Sequence, residues 1–313
     1  MKKHIIVTVL IILGTVLLLS GCTNQGAKTT SEATKLVVSD SPEAKEKKVM
    51  DSFYSLIGNN TVRVADIFSF IDSNIALVSQ QNAVVMIVSL EEIQKKALPA
   101  FQDKFSASYE LQRKIAKVQM ENSGIDKIDK LQDQEVKTIL RETLNSGFKI
   151  ETAEGEYFPI IDYSVYKKYQ SYVTPDIAEY LSIMTVESDK TSVKDAALTI
   201  GWDEIVRRAA SHERFIQSYS NSAKVQEVRT LLKRYLVFAF YGANNTPLFD
   251  YDSKAMKPGA KKAYQEHSLA ADNGPFSKLL KDYLKVLEHN SFRLTSEVQE
   301  FRKQATEQFD KTE

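Results

Sequence analysis

Apolar residues recur every three or four positions over most of this chain, and that spacing predicts a mainly α-helical protein. Ser41 can cap a first helix, with Pro42 at its first position and Glu43 in its first turn. Val49, Phe53, Leu56 and Ile57 then share one face until Gly58-Asn59-Asn60 ends the run. A second helix opens after Thr61 and carries Val64, Ile67, Phe68, Ile71, Ile75 and Val78. The run Ala83-Val84-Val85-Met86-Ile87-Val88 is β-branched enough for a buried strand, but the helix-start pattern Ser89-Leu90-Glu91-Glu92 follows it, and it is read mostly as helix. Pro99 is expected to end or kink that helix, with a longer one continuing through Phe101, Phe105, Ile115 and Val118 to Ser123-Gly124. Another is expected from Ile125 through Val136, Ile139, Leu140 and Leu144, with Gly147 as its C-terminal cap.

The period changes once. Phe148-Lys149-Ile150-Glu151-Thr152 alternates apolar with polar, Ala153-Glu154-Gly155-Glu156 can turn, and Tyr157-Phe158-Pro159-Ile160-Ile161 returns, which predicts a two-stranded hairpin. Pro159 forbids a central strand, so the hairpin must pack on helices. Beyond Asp162 the helical period resumes, with starts expected at Thr174-Pro175-Asp176, at Ser192, at Trp202, at Asn221 or Ser222, near Gly259, after Asn273-Gly274-Pro275 and at Thr295 or Ser296. Residues 244–259, with Pro247 and Pro258, read as the longest irregular loop. The expected fold is mainly α: one elongated helical bundle or two packed helical bundles with one small β-hairpin. Residues 42–147 form an N-terminal helical unit, 148–162 the hairpin and 163–313 a C-terminal helical unit in this reading.

Composition narrows the function classes. The 313 residues hold 41 Lys+Arg against 41 Asp+Glu, so no global charge favours nucleic acid. One Cys excludes an internal disulfide or a thiolate metal cluster. No G-x-S-x-G, Walker A or G-x-G-x-x-G sequence is present, and no cofactor is implied.

The first 22 residues are the most informative. Lys2 and Lys3 precede an apolar run from Ile5 to Leu19, shorter than the roughly 20 residues of a spanning helix, which closes on small residues and Cys22. The quartet Leu19-Ser20-Gly21-Cys22 resembles the lipobox of bacterial lipoproteins at all four positions. The resemblance implies that residues 1–21 are removed as a signal peptide and that the Cys22 thiol carries a diacylglyceryl group. It also implies fatty acylation, such as palmitate, on the new amino terminus. The competing reading is an uncleaved anchor helix in which Cys22 is incidental. Two or three acyl chains hold a protein stably, each buried methylene contributing about 0.8 kcal/mol. Removing Lys2 and Lys3 from 41 basic residues leaves 39 against 41 acidic ones, so the lipid rather than charge must anchor the body.

The polar stretch to Ser41 then reads as a flexible tether over residues 22–41, spanning roughly 25 Å as a coil. The expected location is the extracytoplasmic face of a cell membrane. Only 10 of the 41 basic residues are Arg, a Lys bias suggestive of an AT-rich genome and a Gram-positive envelope. The resemblance also implies that, in a cell with two membranes, Thr23 points to the outer one, since it is not the Asp that the family uses for inner-membrane retention.

Few constellations in the body suggest chemistry. Glu204, Arg208 and His212 follow at four-residue steps and can form an ion-pair ladder on one helix face, whereas His212-Glu213 is not part of an H-E-x-x-H metal motif. Asp250-Tyr251-Asp252 begins like a calcium loop, but Ala255 and Lys261 stand where Gly and Glu are required, so a capped loop is the better reading. Asp203 and Glu204 beside Trp202 could flank a glycan, or simply favour a helix N-terminus. Tyr157, Tyr163, Tyr166 and Tyr169 could form a ligand platform, although three-residue spacing drifts about 60° per step around an α-helix, and packing against the core is the alternative.

Together these features predict a membrane-anchored, non-enzymatic helical module that binds an envelope protein, peptidoglycan or a secreted factor. The alternative is a cell-wall or peptide hydrolase, whose cleft would gather Asp203 or Glu204, a His and the tyrosines after the hairpin. A transporter-feeding receptor of two α/β lobes fits poorly with so few strands.

Overall fold

The computed structural model describes residues 41–121, 128–129, 131–268 and 274–311. The fold is mainly α-helical with small antiparallel hairpins. Ser41 caps α1 (Pro42–Ile57) by accepting from Ala44 N, and Met50 and Phe53 turn inward. α2 (Val64–Asn74) buries Val64, Ile67, Phe68 and Ile71, and a short 3-10 turn follows at Ile75–Leu77. The apolar run 83–88 lies wholly within α3 (Gln80–Phe105), which Ser79 caps.

Pro99 does not end that helix. Proline removes one intrahelical bond, but Phe101 and Phe105 beyond it are buried, and the Phe101 ring packs 4.7 Å from Phe148. The break falls at Ser106 instead, and α4 (Tyr109–Glu121) starts anew under Ser108, whose Oγ accepts from Leu111 N. The junction expected at Ser123–Ile125 lies outside the described residues. α5 (Gln134–Asn145) is capped by Asp133.

Gly147 has a φ of +71°, and a Cβ there would come within 2.6 Å of the Phe68 ring and of Gln94 Nε2, so only glycine fits. The hairpin follows in the expected register: β1 (Phe148–Ala153) pairs with β2 (Glu156–Ile161) from Phe148↔Ile161 to Ala153↔Glu156. Positive φ at Glu154 and Gly155 makes the tight turn. The amide of Gln112 in α4 takes both main-chain groups of Tyr157, at 2.8 and 2.9 Å, as a third strand would.

A 3-10 segment, Tyr163–Tyr169, leads to α6 (Pro175–Asp189). Ser192 does not start a helix. Residues 193–198 form a second hairpin, β3 (Val193–Lys194) with β4 (Ala197–Leu198), turning through positive φ at Asp195 and Ala196. Its partner comes from a distant part of the chain: Asn245 N donates to Ala196 O at 2.9 Å, and Leu198 N donates to Thr246 Oγ1 at 3.1 Å. That contact lies in a third hairpin, β5 (Gly242–Ala243) with β6 (Thr246–Pro247), so residues 244–259 are more ordered than expected. Bridges Phe249↔Met256 and Ala255↔Arg293 tie down the remainder.

Between these hairpins α7 (Trp202–Ser218) packs against α8 (Val225–Tyr241), and α9 (Pro258–Ser268), α10 (Pro275–His289) and α11 (Ser296–Lys311) complete the chain. Residues Asp40–Glu313 form one compact unit. Its apolar interior does not divide at the hairpin. One cluster joins Phe53, Ile67 and Leu90 to Phe148, Tyr180 and Val228, while another gathers Ile205, Tyr235, Phe240, Tyr264 and Tyr283. α7 and α8 contribute to both, so the seam between the clusters runs along those two helices.

Candidate functional site

Leu19, Ser20, Gly21 and Cys22 lie outside the described residues. The tyrosines after the hairpin do not form an exposed platform. Their segment is a 3-10 helix, in which residues three apart eclipse, so Tyr163, Tyr166 and Tyr169 do line up, and the stripe faces inward. Tyr163 donates to Glu91 at 2.6 Å, Tyr166 to Gln94 and Tyr169 to Asp72 at 2.7 Å. Tyr157 is half-buried against Gln112.

Around Glu91 these contacts build a closed polar network. Glu91 is 1% exposed and is reached by Lys224 at 2.7 Å, by Lys95 at 2.8 Å and by the hydroxyls of Tyr163 and Tyr180. Burial pushes the Glu91 carboxyl up, but Lys224 above all, with Lys95 and Tyr163, holds it below its ordinary value. The network joins α3, the 3-10 segment and α6 to the start of α8.

A second polar network lies where α6, α7 and α8 meet. The expected ladder is present: Arg208 donates through Nε and Nη2 to Glu204, the shorter contact being 2.6 Å. Its Nη1 bonds the Lys190 carbonyl at 2.9 Å and the Tyr235 oxygen at 3.0 Å, and lies 3.4 Å from Glu187. Tyr235 donates to the Glu187 carboxylate at 2.8 Å. Burial raises the Glu187 carboxyl above its ordinary value despite these partners.

His212, 1% exposed, sits edge-on to Tyr235, with Nε2 3.7 Å from Glu187 Oε1. Burial, reinforced by Arg208 and Arg234, pushes its pKa down to about 3, so the ring is neutral. Its Nδ1 is buried without a hydrogen-bond partner among the described residues.

Two clefts border Glu187. One, of about 310 Å³ between α6 and α7, is lined by Ile183, Val186, Glu187, Arg208, Ser211 and His212, with Glu179, Arg207 and Arg214 at its rim. The other, of about 460 Å³, is lined by Glu187, Thr191, Ser192, Leu231, Arg234 and Phe238. Thr191 Oγ1 is also buried without a hydrogen-bond partner among the described residues.

Of the grouping expected for a hydrolase, a cleft of about 340 Å³ gathers Asp203 with Glu266 and His267, but the tyrosines after the hairpin are not in its lining. Glu204 is engaged by Arg208, Arg207 and Lys190, while the tyrosines after the hairpin bond to residues of α2 and α3. Asp250 caps its own loop, with Oδ1 accepting from Ser253 N and Oγ at 3.0 Å each. Those bonds from Ser253 hold its carboxyl down at about 2. No cluster of three or more metal-ligating side chains occurs among the described residues.

Sequence reasoning found Glu204, Arg208 and His212 but missed Glu187 and Tyr235, which arrive from α6 and α8. One signal was legible: a chain poor in Arg places Arg207, Arg208 and Arg214 on a single helix. Comparison with protein families, curated proteins and solved structures finds no match to this chain.

Proposed function

We propose that this protein is a lipid-anchored, extracytoplasmic component of a bacterial envelope, held to the membrane through Cys22 and presenting its helical body as a non-enzymatic binding module. The observation that carries the reading is the position of the single Cys, directly after Leu19-Ser20-Gly21 and behind a lysine-led apolar run. Acyl chains on one thiol supply anchoring that the near-neutral body does not. No helix among the described residues is long and apolar enough to cross a membrane, which is compatible with anchoring at the N-terminus. The body offers clefts at its α6–α7–α8 seam, and its partner is an envelope protein or peptidoglycan.

Mass spectrometry of the native protein tests the anchor. The expected species begins at Cys22 and carries diacylglyceryl on sulfur, and Cys22→Ala leaves the uncut precursor. An unmodified sulfur, or normal processing of Cys22→Ala, overturns the assignment.

A further inference from the structure

The two edges of the β3–β4 hairpin end differently. In an antiparallel ladder, successive residues turn their main-chain groups alternately towards the partner strand and away from it. Thr199 N donates to Ser192 O at 3.0 Å, so Val193, the next residue, turns its N–H and C=O outward, as does Leu198 opposite it. Leu198 N is taken by Thr246 Oγ1 at 3.1 Å. Val193 has no such cover: neither of its main-chain groups is hydrogen-bonded among the described residues. It is half-buried and stands on the wall of the cleft of about 460 Å³ that borders Glu187.

The rest of that wall suits an extended chain. Met184 of α6 and Leu231 and Phe238 of α8 supply apolar surface beside Val193. Arg234, on the same stretch of α8, is exposed and makes no ion pair among the described residues. Glu187, the carboxylate of this wall, is bonded instead by Tyr235 at 2.8 Å and approached by Arg208 at 3.4 Å. One cleft thus holds a strand edge with an unused donor and acceptor, an apolar floor and an uncommitted guanidinium, in a volume ordinary for ligand sites. Peptides that add a strand to an exposed edge use these elements, drawing affinity from main-chain bonds and specificity from side-chain pockets. A purely apolar small molecule would leave the Val193 edge and Arg234 unused.

We propose that this cleft receives an extended segment of another protein, in which apolar residues alternate along the chain and an acidic one is set for Arg234. The segment lies alongside β3 and pairs with the N–H and C=O of Val193. Its apolar side chain rests on Met184, Leu231 and Phe238, and its carboxylate meets the Arg234 guanidinium, whose planar fork matches it. This deepens the binding-module reading and rests on it, making the partner a protein, but it does not depend on the lipid.

The test pans a display library of random peptides against the full chain in detergent and measures the recovered sequences, made synthetically, by fluorescence anisotropy. They are expected to alternate apolar residues and to carry an acidic one. Arg234→Gln weakens them about tenfold, and changing the acidic residue of the peptide to its amide costs as much in the parent chain but nothing further in Arg234→Gln. Val193→Pro removes only the outward N–H, a replacement that an edge strand accepts, and weakens binding at least about tenfold. If Val193→Pro fails to fold, N-methylation of the peptide decides: it abolishes binding at alternate residues and spares those between. Peptides that bind Arg234→Gln and Val193→Pro as they bind the parent overturn the cleft while leaving the binding-module reading, and recovery of no peptide overturns the cleft as well. A parent chain that is dimeric by light scattering and becomes monomeric in Val193→Pro also overturns the proposal, because the occupant is then a second copy. Failure of the anchor is read separately, from the mass of the Cys22 peptide.

Discussion

The networks around Glu91 and Glu187 contain the same kinds of group, a carboxylate with tyrosine hydroxyl and cation partners, fully buried at Glu91 and partly buried at Glu187, and differ in completeness. Glu91 meets Lys224, Lys95 and two tyrosines, and its carboxyl is stabilised in the charged form. Glu187 is held by one tyrosine and a more distant Arg208, its carboxyl is raised, and His212 and Thr191 beside it each keep a buried polar atom with no hydrogen-bond partner among the described residues. A fully satisfied network specifies a core. One that retains spare capacity beside an opening can complete it with a guest, and keeping that capacity costs stability.

Breaking the closed network should have the largest effect. Glu91→Ala leaves Lys224 buried with only Glu227, 3.1 Å away, to replace its partner, and is expected to lower the unfolding free energy by about 3–5 kcal/mol in urea titrations. A loss below about 1 kcal/mol would show that water already reaches this lysine.

Acid sharpens the contrast. The His212 pKa is about 3 in the folded chain against an ordinary 6.5, so its contribution to stability is fully present above pH 6.5 and is lost as pH falls towards 3. Glu91, held below its ordinary 4.5, contributes stability that is lost only on further acidification. Glu187, raised above that value, moves the other way, its burial strain being relieved as it protonates. Between about pH 6.5 and pH 4.5 the urea midpoint should therefore fall mainly because of His212, and His212→Asn should flatten that interval. An unchanged slope would place the titrating group elsewhere.

The smallest effects come from single hydroxyls. Tyr163→Phe removes a donor from Glu91 and should cost about 1–3 kcal/mol, whereas Thr191→Val removes a hydroxyl that has no partner and should be neutral or stabilising by up to about 1 kcal/mol. Thermal unfolding of the two variants side by side reads the difference. Equal losses would erase the distinction between the networks.

Local signals gave most of the helices, the cap at Ser41 and the first hairpin with its turn, because apolar period and turn chemistry are written in adjacent residues, whereas the start of α5 under Asp133 was not among the expected caps. Where the reading failed, the deciding partner was distant. The hairpin at 193–198 is completed by Asn245 and Thr246, which no window around Ser192 contains. Pro99 is tolerated because phenylalanines beyond it are buried. The tyrosine stripe was visible as spacing, but its direction depended on a switch from α to 3-10 geometry that spacing alone does not reveal. At the seam, the ladder on α7 was legible as a four-residue repeat. Glu187 and Tyr235 carried no such mark, since their roles arise only when three helices converge.

The side chain of Gln112 has one more consequence. A two-stranded ribbon has two open margins, each able to recruit a strand from another molecule. By taking the free amide and carbonyl of Tyr157, Gln112 plugs one such socket from within the same chain, so the protein protects its own ribbon against self-association with one glutamine.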